Sequence, residues 1–138
     1  MGVADPERVS TGDAGRASEV AEGAPGSPLS LDVDFIEGVA VLHAGGEIDV
    51  VTAPVFEQKL NELGAMCGTS TLVVDLLGVQ FLSSAGLAVL MRTADDLEGR
   101  SRFLVVADGP ATARPMTLVG LTETLEVFPT VEAALSTV

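Results

Sequence analysis

The chain has one cysteine, one histidine, no tryptophan or tyrosine, and only seven basic residues in 138. Each shortage removes a class of function. With Cys67 alone there is no intramolecular disulfide, no CxxC redox pair and no thiolate metal cluster, so Cys67 reads as a small core residue. With His43 alone there is no second histidine for a metal site and no relay for a serine nucleophile, so His43 reads as a packed or half-exposed strand residue. The basic residues are scattered against a formal net charge of −13. That balance argues against nucleic acid or an anionic membrane as partner, and for a basic protein surface. No run of about 18 uncharged apolar residues exists, and no basic stretch leads into an apolar one at the start, so a cytoplasmic protein without membrane spans is expected. No Gly-rich phosphate loop or metal-ligand spacing appears, so neither cofactor nor metal is expected.

What is present suits one domain, large enough to bury a core without staples. Residues 1–28 are rich in Gly, Ala, Ser, Pro and acid, with no apolar period, and read as a disordered tail. The domain should therefore occupy residues 29–138.

In Ser30–Ile36 the apolar Leu31, Val33 and Phe35 alternate with Asp32 and Asp34, the period of a half-buried strand. Glu37-Gly38 turns the chain into a second apolar run, Val39–Ala44, making an antiparallel hairpin. Gly45-Gly46-Glu47-Ile48-Asp49 follows as a loop. Thr52 and Pro54 then begin a helix in which Phe56, Leu60, Leu63 and Cys67 share one face, closed by Gly64 and Gly68. Glu47 and Asp49 before that helix are favourable partners for its dipole whatever else they do.

The centre of the chain is residues 71–97. Thr71–Asp75 is a short β-branched run of the length of a buried strand, broken by Leu76-Leu77-Gly78. Leu87, Leu90, Met91, Ala94 and Leu97 then form one helical stripe, which puts Ser83 and Ser84 at a helix N-terminus. A serine there is first of all a cap, which stabilises a helix by about 0.5–2 kcal/mol and needs no function. The small neighbours Ala85 and Gly86 also leave the hydroxyls uncovered as chemical targets. The surroundings are not those of a hydrolase, because F-L-S-S-A-G is not the G-x-S-x-G elbow.

Downstream, Gly99 marks a helix end and Phe103–Ala107 a further strand. Asp108-Gly109-Pro110 starts another helix that Pro115 should kink, or delay until Pro115 itself. Leu125–Phe128 reads as a last strand and Val131–Leu135 as a terminal helical turn. The order β-β-α-β-α-β-α-β-α implies an α/β fold with a mixed, mostly parallel sheet covered by helices. In open sheets of this kind functional residues gather at the carboxyl ends of strands, where Asp49 and Ser84 both fall.

The segment V-x-F-L-S-S-A-G-L-x-V-L resembles the switch motif of the STAS domain, the family of bacterial anti-sigma-factor antagonists. Gly46-Glu47-Ile48-Asp49 with Thr52-Ala53, and Val119-Gly120-Leu121 downstream, are similar to further blocks of that family in the same order, over roughly residues 29–138. The resemblance implies a STAS-like fold and a protein that is a ligand rather than an enzyme. Its unphosphorylated form would bind an anti-sigma factor, itself a serine kinase of the GHKL ATPase type, and so free a sigma factor. Phosphorylation would switch it off, and a PP2C-type phosphatase would restore it.

Aligned on Gly86, the family's phosphoacceptor falls on Ser84, and Ser83 stands where the family commonly has aspartate, which makes Ser83 a second acceptor. Glu47, Asp49, Thr52, Ser83, Ser84 and Gly86 are the partner-binding residues that the resemblance implies. The family also contains scaffolds of signalling assemblies and regulatory subunits of lipid transporters, which need no phosphoacceptor.

Overall fold

A computed structural model describes residues 28–67 and 70–138, with the backbone alone at Cys67. The expectations for the tail before Pro28, for Gly68 and for the Cys67 side chain lie outside the described residues.

Strands β1 (Leu29–Ile36) and β2 (Val39–Ile48) form an antiparallel hairpin. Both turn residues have positive φ, 53° at Glu37 and 83° at Gly38. This is the type I′ signature that suits strand twist, easy for Gly38 and strained for Glu37. The chain continues through α1 (Ala53–Cys67), β3 (Thr71–Leu82), α2 (Ser84–Leu97), β4 (Arg102–Val106), α3 (Ala113–Leu118), a single 3₁₀ turn (Leu121–Glu123), β5 (Glu126–Phe128) and α4 (Val131–Leu135). The strands lie side by side in chain order, with β2 to β5 parallel and β1 antiparallel. The expected order holds, and only the 3₁₀ turn was unforeseen.

Strand alternation divides the apolar residues between two faces. Leu42, Leu72, Val74, Leu76 and Val105 face Phe56 and Leu60 of α1, Val89 and Leu90 of α2, and Met116 of α3. On the reverse, Val39, Val41, Val73, Leu104 and Val106 lie under Ala134 of the short α4. Each fully buried side chain of this size contributes roughly 1.5–3 kcal/mol relative to exposure. Among the described residues no helix is long and apolar enough to cross a membrane.

Several local expectations change. Strand β2 runs on to Ile48 and β3 to Leu82, so neither Gly45-Gly46 nor Leu76-Leu77-Gly78 ends a strand. Gly45 and Gly78 face each other across the pair, and the register shifts on either side of Gly45-Gly46. The bulges absorb the extra residues and bend the strands instead of stopping them. At Gly46, φ is +90° and an added Cβ would lie 1.6 Å from the Pro28 carbonyl oxygen, so only glycine fits.

In β1 the alternation buries only Leu29 and Leu31. Val33 and Phe35 remain exposed, because β1 is the sheet edge. Gly64 lies within α1 rather than ending it, and its missing side chain admits Leu97 of α2. The buried arc of α2 is Gly86, Val89, Leu90, Thr93 and Leu97, about one residue round from the expected stripe, since α2 packs on both sheet and α1. Thr93 is tolerated there because its hydroxyl donates to the Val89 carbonyl at 2.9 Å. Pro115 causes no kink, because α3 begins at Ala113 and places Pro115 in the first turn, where no N–H is missed.

Candidate functional site

The carboxyl ends of β2 and β3 are bonded neighbours, with Glu47 opposite Phe81 and Ile48 opposite Leu82. The two strand-to-helix junctions that follow therefore share one rim. They are tied directly, since the Ser83 N–H donates to the Ile48 carbonyl at 2.9 Å. The Asp49 loop and the serine turn thus stand beside each other, where the sheet opens between α1 and α2.

The turn into α2 separates the two serines. Ser83 is the N-cap, with extended backbone (φ −83°, ψ 173°), and its hydroxyl accepts the Gly86 N–H at 3.4 Å. At that length the bond is weak. Ser84 is the first residue of the helix, and its side chain is exposed. Among the described residues its hydroxyl has no hydrogen-bond partner. The capping and accessible-hydroxyl readings of the serine pair thus fall on different residues. Gly86 is buried, and a Cβ there would come within 2.6 Å of Leu82 and 2.7 Å of Ile48. It lets α2 start close against the ends of both strands, a packing role, and does not face outward.

The turn into α1 is stitched by five hydrogen bonds. The Asp49 Oδ1 accepts the N–H groups of Val51 (2.9 Å) and Thr52 (3.0 Å), and the Thr52 hydroxyl accepts the Asp49 N–H at 2.9 Å. That hydroxyl has one proton, directed to the Glu47 carbonyl at 2.9 Å, with Asp49 Oδ1 a longer second acceptor at 3.2 Å. Donation from the Thr52 N–H above all, with that of Val51 and the Thr52 hydroxyl, holds the Asp49 carboxyl below its ordinary pKa of 3.8, despite some desolvation. Asp49 is therefore anionic at neutral pH, with one oxygen committed to the turn. Thr52 is only 4% exposed. Like Gly86 it shapes the rim from beneath and offers a partner no surface, while Glu47 is exposed. Behind the rim, Arg92 of α2 grips Glu57 of α1 with two bonds of 2.7 and 2.9 Å, fixing the helices to each other. Hydrogen bonding from Arg92, chiefly, lowers the Glu57 pKa.

Two features escaped the sequence reading. Val50 and Val51 are 75% and 77% exposed on the stitched turn, and Phe81 is 52% exposed at the end of β3. The sequence signal was the Val-Val pair itself, lying outside any apolar period. The second is on the sheet, where His43 Nδ1 and Asp75 Oδ2 are 2.7 Å apart, with Asp34 at 4.0 Å from the other ring nitrogen. Only strand register brings these three residues into line. Among the described residues no group of three or more potential ligands is placed to hold a metal.

Comparisons with known proteins match this chain and its fold. The model of the STAS domain matches residues 30–134. The chain is 43% identical over 112 residues to the anti-sigma-F factor antagonist RsfB of Mycobacterium tuberculosis (strain ATCC 25618 / H37Rv), covering 80% of this chain and 91% of that protein. It superposes on the crystal structure of an anti-sigma factor antagonist from Mycobacterium paratuberculosis with a TM-score of 0.77 at 43% identity, covering 83% of this chain and 97% of the other. The phosphorylated form of SpoIIAA, a Bacillus cell fate determinant, gives a TM-score of 0.58 at 15% identity, over 78% and 97% of the two chains, a likeness of fold alone. On the match across most of its length, the chain belongs to the STAS-domain family.

Proposed function

We propose that this protein is an anti-sigma factor antagonist whose unphosphorylated rim binds an anti-sigma factor, a serine kinase of the GHKL ATPase type, and so frees a sigma factor. The observation that carries the reading is the exposed, unpartnered hydroxyl of Ser84 at the start of α2, beside the anionic Asp49 turn. The name of the 43% identical relative, an anti-sigma-F factor antagonist, supports the partner class.

In this reading phosphorylation of Ser84 is the off signal, reversed by a PP2C-type phosphatase. Phosphoserine adds about −1.5 to −2 charges. The 14-residue helix behind it favours an anion at its N-terminus, so the fold tolerates the group. A docked partner does not. Repulsion between about −2 charges and one partner carboxylate ~6 Å away, at an effective dielectric of ~40, is roughly 3 kcal/mol, or about a hundredfold in affinity. Because Ser83 is committed to the cap, Ser84 is the favoured acceptor and Ser83 the second. Glu47 and Asp49 supply the acidic border, and Thr52 and Gly86 hold the rim in shape.

The protein acts as ligand and substrate rather than catalyst. Its one histidine pairs with Asp75, seven residues before Leu82, roughly 20 Å back along β3 at ~3.3 Å per residue, too far to activate Ser84.

The test is phosphate incorporation and equilibrium binding with a purified anti-sigma kinase, for wild type, Ser84→Ala, Ser84→Asp and Ser83→Ala. Ser84→Ala should bind constitutively and take up no phosphate. Ser84→Asp should bind about tenfold more weakly, with one charge where phosphate has about two. Phosphate lost in Ser83→Ala but not in Ser84→Ala would move the acceptor by one residue. Equal binding by the alanine and aspartate variants would remove the charge mechanism.

A further inference from the structure

We infer that the affinity of this rim for its partner comes from an apolar contact made by Val50, Val51 and Phe81, and that the carboxylates beside Ser84 position and border this contact rather than supply it. The inference rests on the antagonist reading above and names the chemistry of the partner: an apolar pocket with basic residues around it.

Val50 and Val51 are the most exposed large apolar side chains among the described residues, at 75% and 77%, although a loop residue could have been polar at no cost to the fold. They are not loose. The Asp49 carboxylate holds the Val51 N–H, the Thr52 hydroxyl locks the next residue to Glu47, and the Ala53 N–H donates to the Asp49 carbonyl at 2.8 Å. Two branched side chains are thereby held outward on a fixed turn, so little conformational entropy is lost when they are covered.

Phe81 joins them on the same rim. It stands opposite Glu47 and two residues before Ser83, so the Val50-Val51 turn and Phe81 lie at the adjoining carboxyl ends of β2 and β3. Few buried contacts explain any of them: Val50, Val51 and Phe81 belong to neither core cluster. Exposed apolar groups clustered at a site rimmed by polar residues mark a protein contact.

The charges point the same way. Asp49 has one oxygen bound three times within its own turn, which leaves it poorly placed to bind a partner cation in two-pronged fashion. It and the exposed Glu47 still leave the border of the rim negative, on a chain of net charge −13. Basic residues on the partner would therefore match the border and speed association, while the apolar centre sets how long the complex lasts. The arrangement also places the switch well, since a phosphate on Ser84 would fall at the edge of a contact that must exclude water.

The test uses the full chain and the purified anti-sigma-F factor of M. tuberculosis as probe, with RsfB of that organism as positive control. Titration calorimetry is run at several temperatures. Val50→Ser/Val51→Ser and Phe81→Ser should each weaken binding about ten- to a hundredfold and make the heat-capacity change of binding less negative, with melting temperature unchanged. Glu47→Gln should change affinity less than threefold and act mainly on the association rate and its salt dependence. Should wild type bind and Ser84→Asp weaken it while the serine variants bind as wild type, the apolar contact is overturned and the antagonist reading stands. Should wild type not bind the probe while RsfB does, both are overturned.

Discussion

Two strand-to-helix junctions on one rim, four residues long before α1 and a single residue long before α2, make the same transition in two different ways. The junction before α1 ties Asp49 and Thr52 into five hydrogen bonds and buries the threonine. The junction before α2 has one long cap bond at Ser83 and leaves Ser84 uncovered. Both begin helices and both lie at the end of a parallel strand. The difference is that the first spends its polar side chains on the backbone, whereas the second keeps a hydroxyl in reserve. A hydroxyl left uncovered cannot also be a structural partner, and the turn beside it holds its shape through bonds of its own.

The comparison is broken most severely through Gly86. Gly86→Val should destabilise the fold by about 3 kcal/mol, because the new side chain enters the space of Ile48 and Leu82, and denaturant unfolding reads the loss. Next comes Thr52→Val, which keeps the shape and removes the hydroxyl. It leaves the Glu47 carbonyl and the Asp49 N–H without partners and should cost about 2 kcal/mol. A Thr52→Val protein as stable as wild type would show that the stitched turn does not hold the rim.

The serines sharpen the contrast at smaller scale. Ser83→Ala should cost only about 0.5 kcal/mol, the low end for a cap, since its bond is long. Ser84→Ala should lie within about 0.5 kcal/mol of wild type, as for a surface substitution. If Ser84→Ala proved the more damaging of the two in thermal unfolding, the assignment of cap and free hydroxyl would be reversed.

The smallest effect is electrostatic and lies away from the rim. Hydrogen bonding from Arg102 holds Glu126 below its ordinary pKa of 4.5, as Arg92 does Glu57. The folded state then binds these protons less readily than the unfolded chain. The stabilisation is complete above about pH 4.5 and is lost as the pH falls through the lower folded values. Glu126→Gln should flatten that acid limb by about 0.5 kcal/mol, the scale of a solvent-screened pair. An unchanged acid limb would remove this pair from the balance.

The serine turn was legible because its signals are local: a strand run, a cap residue and a helical stripe lie within 27 residues, and Ser84 could be placed before any contact was known. The lengths of β2 and β3 were not, because glycines usually end strands. Whether Gly45 and Gly78 break a strand or bend it depends on their facing each other across a bulge, a fact about two segments over thirty residues apart. The role of Asp49 was half legible. An acid before a helix announces itself as a helix partner, but that its oxygen is consumed by Val51 and Thr52 is a matter of local geometry.

The sequence by itself determined the order of elements, the lack of a second cysteine or histidine, and the position of a serine pair at a helix start, since each follows from composition or from a period along one segment. Only the tertiary structure decided which serine is spent on the cap, that Thr52 and Gly86 are buried, and that Val50, Val51 and Phe81 are exposed. Burial and proximity are properties of strands brought together, and the bonds that fix them, such as Ser83 to Ile48, join residues whose sequence separation carries no sign of their contact.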